Sequence, residues 1–106
     1  MSEYIQITTT TPSRELAQQI AETLVEKKLA ACVQVSGPIT STYEWKGKVE
    51  NEEEWYCAIK TRKDLFREVE ESIETLHSYE VPEIIALPIL DGSPAYLAWI
   101  NRVVKS

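Results

Sequence analysis

The chain has 106 residues, of which 43% are hydrophobic, and its 11 basic and 17 acidic side chains give a net charge of −6. This length indicates one domain over residues 1–106. The acidic balance argues against nucleic acid or an anionic membrane as a partner, because both attract clusters of Lys and Arg, and it is compatible with cations.

Targeting and redox signals are few. No apolar stretch approaches the ~18–20 residues of a membrane span, and no signal-peptide pattern precedes the first predicted strand. Two cysteines do not make a disulfide framework. We therefore expect a cytoplasmic protein with reduced thiols.

The first elements are a strand and a helix. Residues 4–9 alternate between apolar and polar side chains, which predicts a strand. Apolar residues at helical spacing predict a helix over residues 13–28. Thr11 is the expected cap, with Pro12 at the first helical position.

A long hairpin is predicted next. Residues 30–35 and 39–49 read as strand, with a break or bend at residues 36–38. Gly47 could form a hairpin turn with Lys46, or a bulge within a longer strand. We favour the bulge because Val49 keeps the alternation, which places the turn near residues 50–53 and the returning strand at 55–61.

The last third alternates between helix and strand. An apolar stripe predicts a helix over residues 62–77. The nearly unbroken apolar run at 84–90 predicts a strand covered on both faces, either in the middle of the sheet or against another subunit. Ser93 and Pro94 then begin a terminal helix.

This order is an α+β fold: a ferredoxin-like β-α-β-β-α-β antiparallel sheet with an additional C-terminal helix. Both central helices should cover one sheet face. The other face should carry one side of the fourth strand together with Tyr4, Gln6, Cys32, Gln34, Tyr56 and Ala58. That face is neither fully apolar nor highly charged, which suggests a subunit interface.

Several segments resemble the CutA family of divalent-cation tolerance proteins. They are L-A-A-C-V at 29–33, I-T-S-T-Y-E-W-K-G-K-V-E at 39–50, I-K-T-R at 59–62, Y-E-V-P-E-I-I-A-L-P-I at 79–89 and Y-L-A-W-I at 96–100. The resemblance covers nearly the whole chain. It implies a ferredoxin-like subunit in a tight homotrimer, with tolerance to copper and other divalent metals, and copper binding in some members.

The resemblance also exposes departures. In copper-binding bacterial relatives, the proposed ligands are a cysteine before the first helix and two adjacent histidines before the fourth strand. Here Thr9 occupies the cysteine position and Leu76 the first histidine position, so His77 alone remains. Many relatives also have proline where this chain has Ser78.

The candidate metal ligands are His77, Glu80 and Glu83. Imidazole and carboxylate groups bind divalent cations, and a neighbouring subunit could complete the set. The alternative for His77 is a helix-ending histidine whose positive form suits the helix dipole.

Other residue groups have structural readings beside functional ones. Cys32 and Cys57 could bind Cu(I) but more often act as small hydrophobes. The acidic run at 50–54 resembles a cluster for hard cations, but without a calcium-type loop it is read as a solvated hairpin tip. Tyr43, Trp45, Trp55 and Tyr79 could line a ligand pocket or pack across strands. Lys60, Thr61 and Arg62 could hold an anionic ligand, or Lys60 could pair with an interface carboxylate.

The leading hypothesis is a non-enzymatic homotrimer that binds copper or another divalent cation and contributes to metal tolerance. No catalytic constellation appears, because a Ser/His/Asp or Cys/His arrangement would have to use the one histidine. The alternative is a trimeric small-molecule sensor or signalling scaffold that binds a ligand in clefts between subunits. That alternative rests on an analogy of fold alone.

Overall fold

Four strands form one antiparallel sheet. The computed structural model describes residues 3–106, and in it the strands are ordered β2-β3-β1-β4. The elements in chain order are β1 (Tyr4–Thr11), α1 (Arg14–Glu26), β2 (Cys32–Trp45), β3 (Lys48–Arg62), α2 (Phe66–Leu76), β4 (Ile85–Pro88) and α3 (Pro94–Val103), with a short 3-10 turn at Lys63–Leu65. The predicted α+β, ferredoxin-like arrangement with an added C-terminal helix is confirmed.

The core lies between one face of the sheet and the helices α1 and α2. The buried side chains include Ile5 and Ile7 of β1, Ile59 of β3, Ile20 of α1 and Ile73 of α2. They alternate along the strands and recur at helical spacing along the helices, so each element contributes one apolar side. Burial of these faces supplies most of the stabilising free energy.

The opposite sheet face, called here the outward face, has the composition that was predicted. Antiparallel pairing sets Gln6 opposite Lys60 and Leu87, and Thr8 opposite Ala58 and Ile85. Residues directly opposite each other point to the same side. The outward face therefore carries Tyr4, Gln6, Cys32, Gln34, Tyr56 and Ala58, as expected.

The start of α1 differs from the prediction. Ser13, rather than Thr11, is the N-cap, and its side chain accepts a hydrogen bond from the Leu16 N–H at 3.1 Å. Pro12 therefore precedes the cap. Thr11 continues β1 and donates its hydroxyl hydrogen to the Ser13 carbonyl. The prediction was wrong because Thr11 and Ser13 are both residue types that cap helices, and both precede the first helical residue closely.

The hairpin turn was placed wrongly. It lies at Lys46 and Gly47, and Trp45 pairs directly with Lys48. Both loop residues have positive φ, 52° and 83°, as a two-residue type I′ turn requires. The acidic run at 50–54 is therefore strand rather than a hairpin tip.

The β-bulge lies elsewhere on the hairpin. The register of β2 against β3 shifts between Ser36 and Ile39, next to Gly37 and Pro38. The predicted break at residues 36–38 is thus a bulge within one continuous strand. One extra residue on β2 changes which side chains face outward beyond that point.

The strand β4 is an edge strand. Of the two explanations predicted for its apolar run, a place in the middle of the sheet is therefore wrong. Its apolar run arises because Ala86 and Pro88 lie opposite Ile7 and Ile5 of the core face, while Ile85 and Leu87 lie on the outward face. Ile85 and Leu87 remain about half exposed, at 50% and 48%. Their coverage by another subunit stays a prediction.

The helix α3 begins as expected and is tied to the end of β3. The Ser93 side chain accepts a hydrogen bond from the Tyr96 N–H, and Pro94 occupies the first turn. Arg62 donates hydrogen bonds to the Asn101 side chain and to the Lys105 carbonyl. In residues 3–106, none of the helices has the length and apolar composition needed to cross a membrane.

Two glycines of the hairpin should differ in their tolerance of a side chain. A Cβ on Gly37, which has φ 151°, would lie 2.7 Å from Trp55 Cδ1, whereas a Cβ on Gly47 would meet nothing within 4 Å. We expect Gly37→Ala to lower the free energy of unfolding by about 2–4 kcal/mol. Gly47→Ala should lower it by only about 1 kcal/mol. Denaturant unfolding at one protein concentration checks this order, and equal losses would contradict it.

Candidate functional site

A cavity lies on the outward face, between the far half of the β2–β3 hairpin and loop 77–84, the segment that joins α2 to β4. Its volume is about 640 Å³. The lining residues are Thr10, Ser41, Thr42, Tyr43, Trp45, Glu54, Ser78, Tyr79, Glu80, Val81 and Glu83. Five of the residues predicted to bind metal or ligand line this cavity: Tyr43, Trp45, Tyr79, Glu80 and Glu83. His77 does not line it but packs against Tyr79, and Lys60 lies outside it.

Glu54 is the buried carboxylate of the cavity. Only 5% of its surface is exposed, and its Oε2 accepts a hydrogen bond of 2.8 Å from the Tyr79 hydroxyl. Burial, followed by the hydrogen bond and negative charge of Glu54, raises the pKa of Tyr79 well above its usual value. Tyr79 therefore stays protonated and keeps donating to Glu54 at neutral pH.

The sequence analysis missed Glu54 because it placed this residue in a solvated turn. Glu50, Glu52 and Glu54 instead lie on one side of β3, opposite Tyr43, Ser41 and Ile39. The Lys46-Gly47 pair, read as a type I′ turn, was the signal that would have placed Glu54 within a strand.

His77 holds loop 77–84 in place. Its Nε2 lies 2.7 Å from the Thr10 carbonyl oxygen, and its Nδ1 accepts a hydrogen bond of 3.1 Å from the Tyr79 N–H. The neutral tautomer with a proton on Nε2 satisfies both contacts. The His77 ring also packs on the Tyr79 ring, with 4.7 Å between centroids. A metal ion could bind either nitrogen only after one of these hydrogen bonds is released.

The two predicted carboxylate ligands lie at the rim. Glu80 and Glu83 are exposed, and the Glu83 Oε2 accepts a hydrogen bond of 3.3 Å from Thr8 Oγ1. Within residues 3–106, no three His, Cys, Asp or Glu side chains lie close enough together to hold a metal ion. One subunit thus brings Glu80 and Glu83 to the same cavity but does not assemble a complete set of ligands with His77.

The two positions where copper-binding relatives are expected to have ligands face the core. Thr9 is fully buried, and its hydroxyl has no hydrogen-bond partner in the described structure. Leu76 packs against the hydrophobic core. Neither side chain could bind a metal in the cavity.

The predicted aromatic residues lie together, but Lys60 lies outside the cavity. Tyr43 and Trp45 line the hairpin side, and each is 40% exposed. Desolvation and the carboxylates of Glu52, Glu54 and Glu50 raise the pKa of Tyr43. Lys60 lies nearer the other end of the outward face and donates a hydrogen bond to Gln34.

The two thiols lie on opposite sides of the sheet. Cys32 is opposite Lys60 on the outward face, whereas Cys57 is opposite Thr9 on the core face. Burial raises the pKa of Cys57 to about 11. Within one chain, the two thiols therefore cannot share a metal ion.

Comparison with known proteins gives a consistent match. The model of the CutA1 family, described as divalent ion tolerance protein, matches residues 5–103. The chain is 46% identical to Protein CutA of Mus musculus over 92% of this chain and 55% of that protein. It is 44% identical to Divalent-cation tolerance protein CutA of Thermus thermophilus over 96% of this chain and 97% of that protein.

Solved structures match over nearly their full length. CutA1 from Shewanella sp. SIB1 is 40% identical, with a TM-score of 0.96 over 99% of this chain and 98% of that one. CutA1 from Oryza sativa is 37% identical, with a TM-score of 0.96 over 99% and 96%. The chain spans about half the length of the mouse and Arabidopsis thaliana relatives.

The two hydrogen bonds of His77 predict its effect on stability. His77→Ala would leave the Thr10 carbonyl and the Tyr79 N–H without this partner, and we expect the free energy of unfolding to fall by about 1–3 kcal/mol. Ser78→Ala, an exposed neighbour, should change it by less than about 0.5 kcal/mol. Thermal and denaturant unfolding give both values. If the two variants were equally stable, His77 would not hold the loop.

The burial of Cys57 predicts its reactivity and a pH effect. A thiol-specific reagent should reach Cys57 only on unfolding, because Cys57 is fully buried within one chain. Because folding raises the pKa of Cys57 from 9.0 to about 11, its contribution to stability is complete below pH 9.0 and is lost as the pH rises through this interval. Cys57→Ala should reduce that alkaline loss. Rapid labelling of Cys57 in the native state of Cys32→Ser would contradict the assignment.

Proposed function

The chain belongs to the CutA1 family of divalent ion tolerance proteins, and we propose that it binds divalent metal ions, copper foremost, and contributes to metal tolerance as a homotrimer. The observation that carries this proposal is a cavity lined by Glu54, Glu80 and Glu83 with no Lys or Arg in its wall. Such a wall attracts cations and repels anions.

The proposed ligands are Glu80 and Glu83, with His77 joining them. Carboxylate oxygens bind divalent cations of several kinds, and an imidazole nitrogen favours copper over harder ions. Because His77 bonds to two backbone groups, its participation would require loop 77–84 to shift. Metal binding would then be coupled to a change in loop conformation, which suits a response to metal ions.

The homotrimer is supported by exposed apolar surface. Ile85 and Leu87 lie on the outward face of the edge strand and are about half exposed in the single chain. Exposed apolar side chains on an edge strand favour association with another chain. In this proposal a neighbouring subunit completes the set of metal ligands that one subunit leaves incomplete.

A role without catalysis is supported by the engagement of the one histidine. His77 is the residue best suited to proton transfer at neutral pH, and both of its nitrogens are held by backbone groups. Tyr79, with its raised pKa, is a weak acid. We also place the protein in a reducing cytoplasm, because Cys32 and Cys57 are unpaired.

Titration with Cu(II) tests the proposal. Wild type should bind copper saturably at neutral pH, and Glu80→Gln with Glu83→Gln should weaken binding by roughly tenfold or more. The control is Glu71→Gln with Glu74→Gln, which removes the same charge from exposed positions on α2. Calorimetry and native mass spectrometry supply affinity and stoichiometry. Equal binding by both double variants would overturn the site, and undiminished binding by His77→Ala would remove the histidine from it.

A further inference from the structure

We propose that residues 101–105, called here the strap, close one end of a groove between α1 and α2 and open as a unit, with Arg62 as the clamp that holds them shut. The strap consists of the last turn of α3 and the two residues that follow it. Arg62 pairs with Tyr4 at the start of β1. The strap therefore lies at the other end of the sheet from the cavity, and it is a conformational device separate from the proposed metal site.

Arg62 joins three segments of the chain. Its Nε and Nη2 donate hydrogen bonds of 2.9 and 3.2 Å to the Asp64 carboxylate. Its Nη1 donates to the Asn101 side chain at 3.2 Å, and Nη2 donates to the Lys105 carbonyl at 2.9 Å. The Arg62 side chain is only 12% exposed, and a planar guanidinium directs its N–H groups in fixed directions. Arg62 thus holds the strap at both ends while Asp64 keeps the guanidinium in place.

The strap forms part of the wall of the groove between the two helices. This groove has a volume of about 530 Å³, and its wall includes Thr23 of α1, Ser72 of α2 and Lys105 of the strap. The ammonium of Lys105 lies 2.6 Å from a carboxylate oxygen of Glu68 on α2. Opening of the strap would withdraw Lys105 and leave this end of the groove open.

A backbone hydrogen bond ties the strap to the turn that follows α1. The Lys105 N–H donates to the Lys28 carbonyl at 2.8 Å. Lys28 has a φ of 60°, in the left-handed region that a residue with a side chain adopts at a cost. The N–H groups of Leu29 and Ala30 both bond to the Leu24 carbonyl and end α1 at this turn. The closed strap therefore helps to hold a strained turn, and its opening should loosen the turn.

The contacts of the strap suit opening as a unit. They include the Arg62 guanidinium, the Lys105 ammonium and N–H, and the side chain of Val104, which is 5% exposed and packs in the core. Each of these contacts requires the strap to be in its closed position, so the loss of one weakens the others. A segment held by a few such contacts opens at a lower free energy than the whole domain unfolds.

Hydrogen exchange of the purified full chain, measured amide by amide by NMR, tests the proposal. In wild type, the protection factors of the strap and of residues 29–30 should agree within about threefold, because one opening exposes both. They should be at least roughly tenfold lower than those at the centre of β1. Protection of the strap equal to that of β1 would mean that it opens only when the chain unfolds, and this would overturn the proposal.

Variants of the clamp test the link between the strap and the turn. Arg62→Met should lower the protection of the strap and of residues 29–30 by the same factor, roughly tenfold. Arg67→Met is the matched control, because Arg67 pairs with Glu70 on its own helix, and it should change both by less than about twofold. If Arg62→Met does not fold, Arg62→Lys is measured in its place, since one ammonium cannot serve all three partners of the guanidinium. Faster exchange in the strap with unchanged protection at residues 29–30, or no difference from Arg67→Met, would overturn the clamp.

Discussion

The position of the Lys46-Gly47 turn determines which side chains of the hairpin lie on the outward face. A two-residue type I′ turn fixes the register of the hairpin, and a slip of one residue would turn every side chain to the other side of the sheet. The observed register sets Tyr43 opposite Glu50 and Ile39 opposite Glu54. Glu54 therefore points toward the same side as Tyr43 and Trp45, so the acidic and aromatic side chains share one surface.

The bulge at Gly37 and Pro38 also determines which side chains of β2 face outward. Before it, Cys32 and Gln34 share the outward face with Lys60 and Ala58, and after it, the odd-numbered residues of β2 face outward. Without the extra residue, Thr42 and Glu44 would replace Tyr43 and Trp45 above the cavity. The space beside Gly37 is filled by the Trp55 ring, so the bulge is locked by core packing as well as by strand pairing.

The sequence predicted the periodic parts of the fold and failed where two local patterns competed. The spacing of apolar residues predicted the buried side of β1 at Ile5 and Ile7. It also predicted the buried sides of the two helices, with Ile20 in α1 and Ile73 in α2. Gly47 is compatible with both a turn and a bulge. The bulge was preferred because Val49 continued the alternation of apolar and polar residues, but Val49 is 73% exposed. The edge position of β4 could not follow from its apolar run. Ile85 and Leu87 are apolar although they are about half exposed, and an unbroken apolar run is also the pattern of a strand buried on both faces. Glu54 was missed because the turn was placed wrongly. The shared pocket of Tyr43, Trp45 and Tyr79 could be predicted because it depended only on which strand or loop each residue belongs to.

The carboxylates of the cavity differ in how the fold holds them. Glu54 is buried and accepts a hydrogen bond from the Tyr79 hydroxyl. Glu80 and Glu83 are exposed at the rim, where Glu83 accepts a hydrogen bond from the Thr8 hydroxyl. His77 bonds to the Thr10 carbonyl and to the Tyr79 N–H, so one histidine both attaches loop 77–84 to β1 and positions Tyr79, whose hydroxyl holds Glu54. A change at His77 would therefore affect the rim carboxylates and the buried carboxylate together.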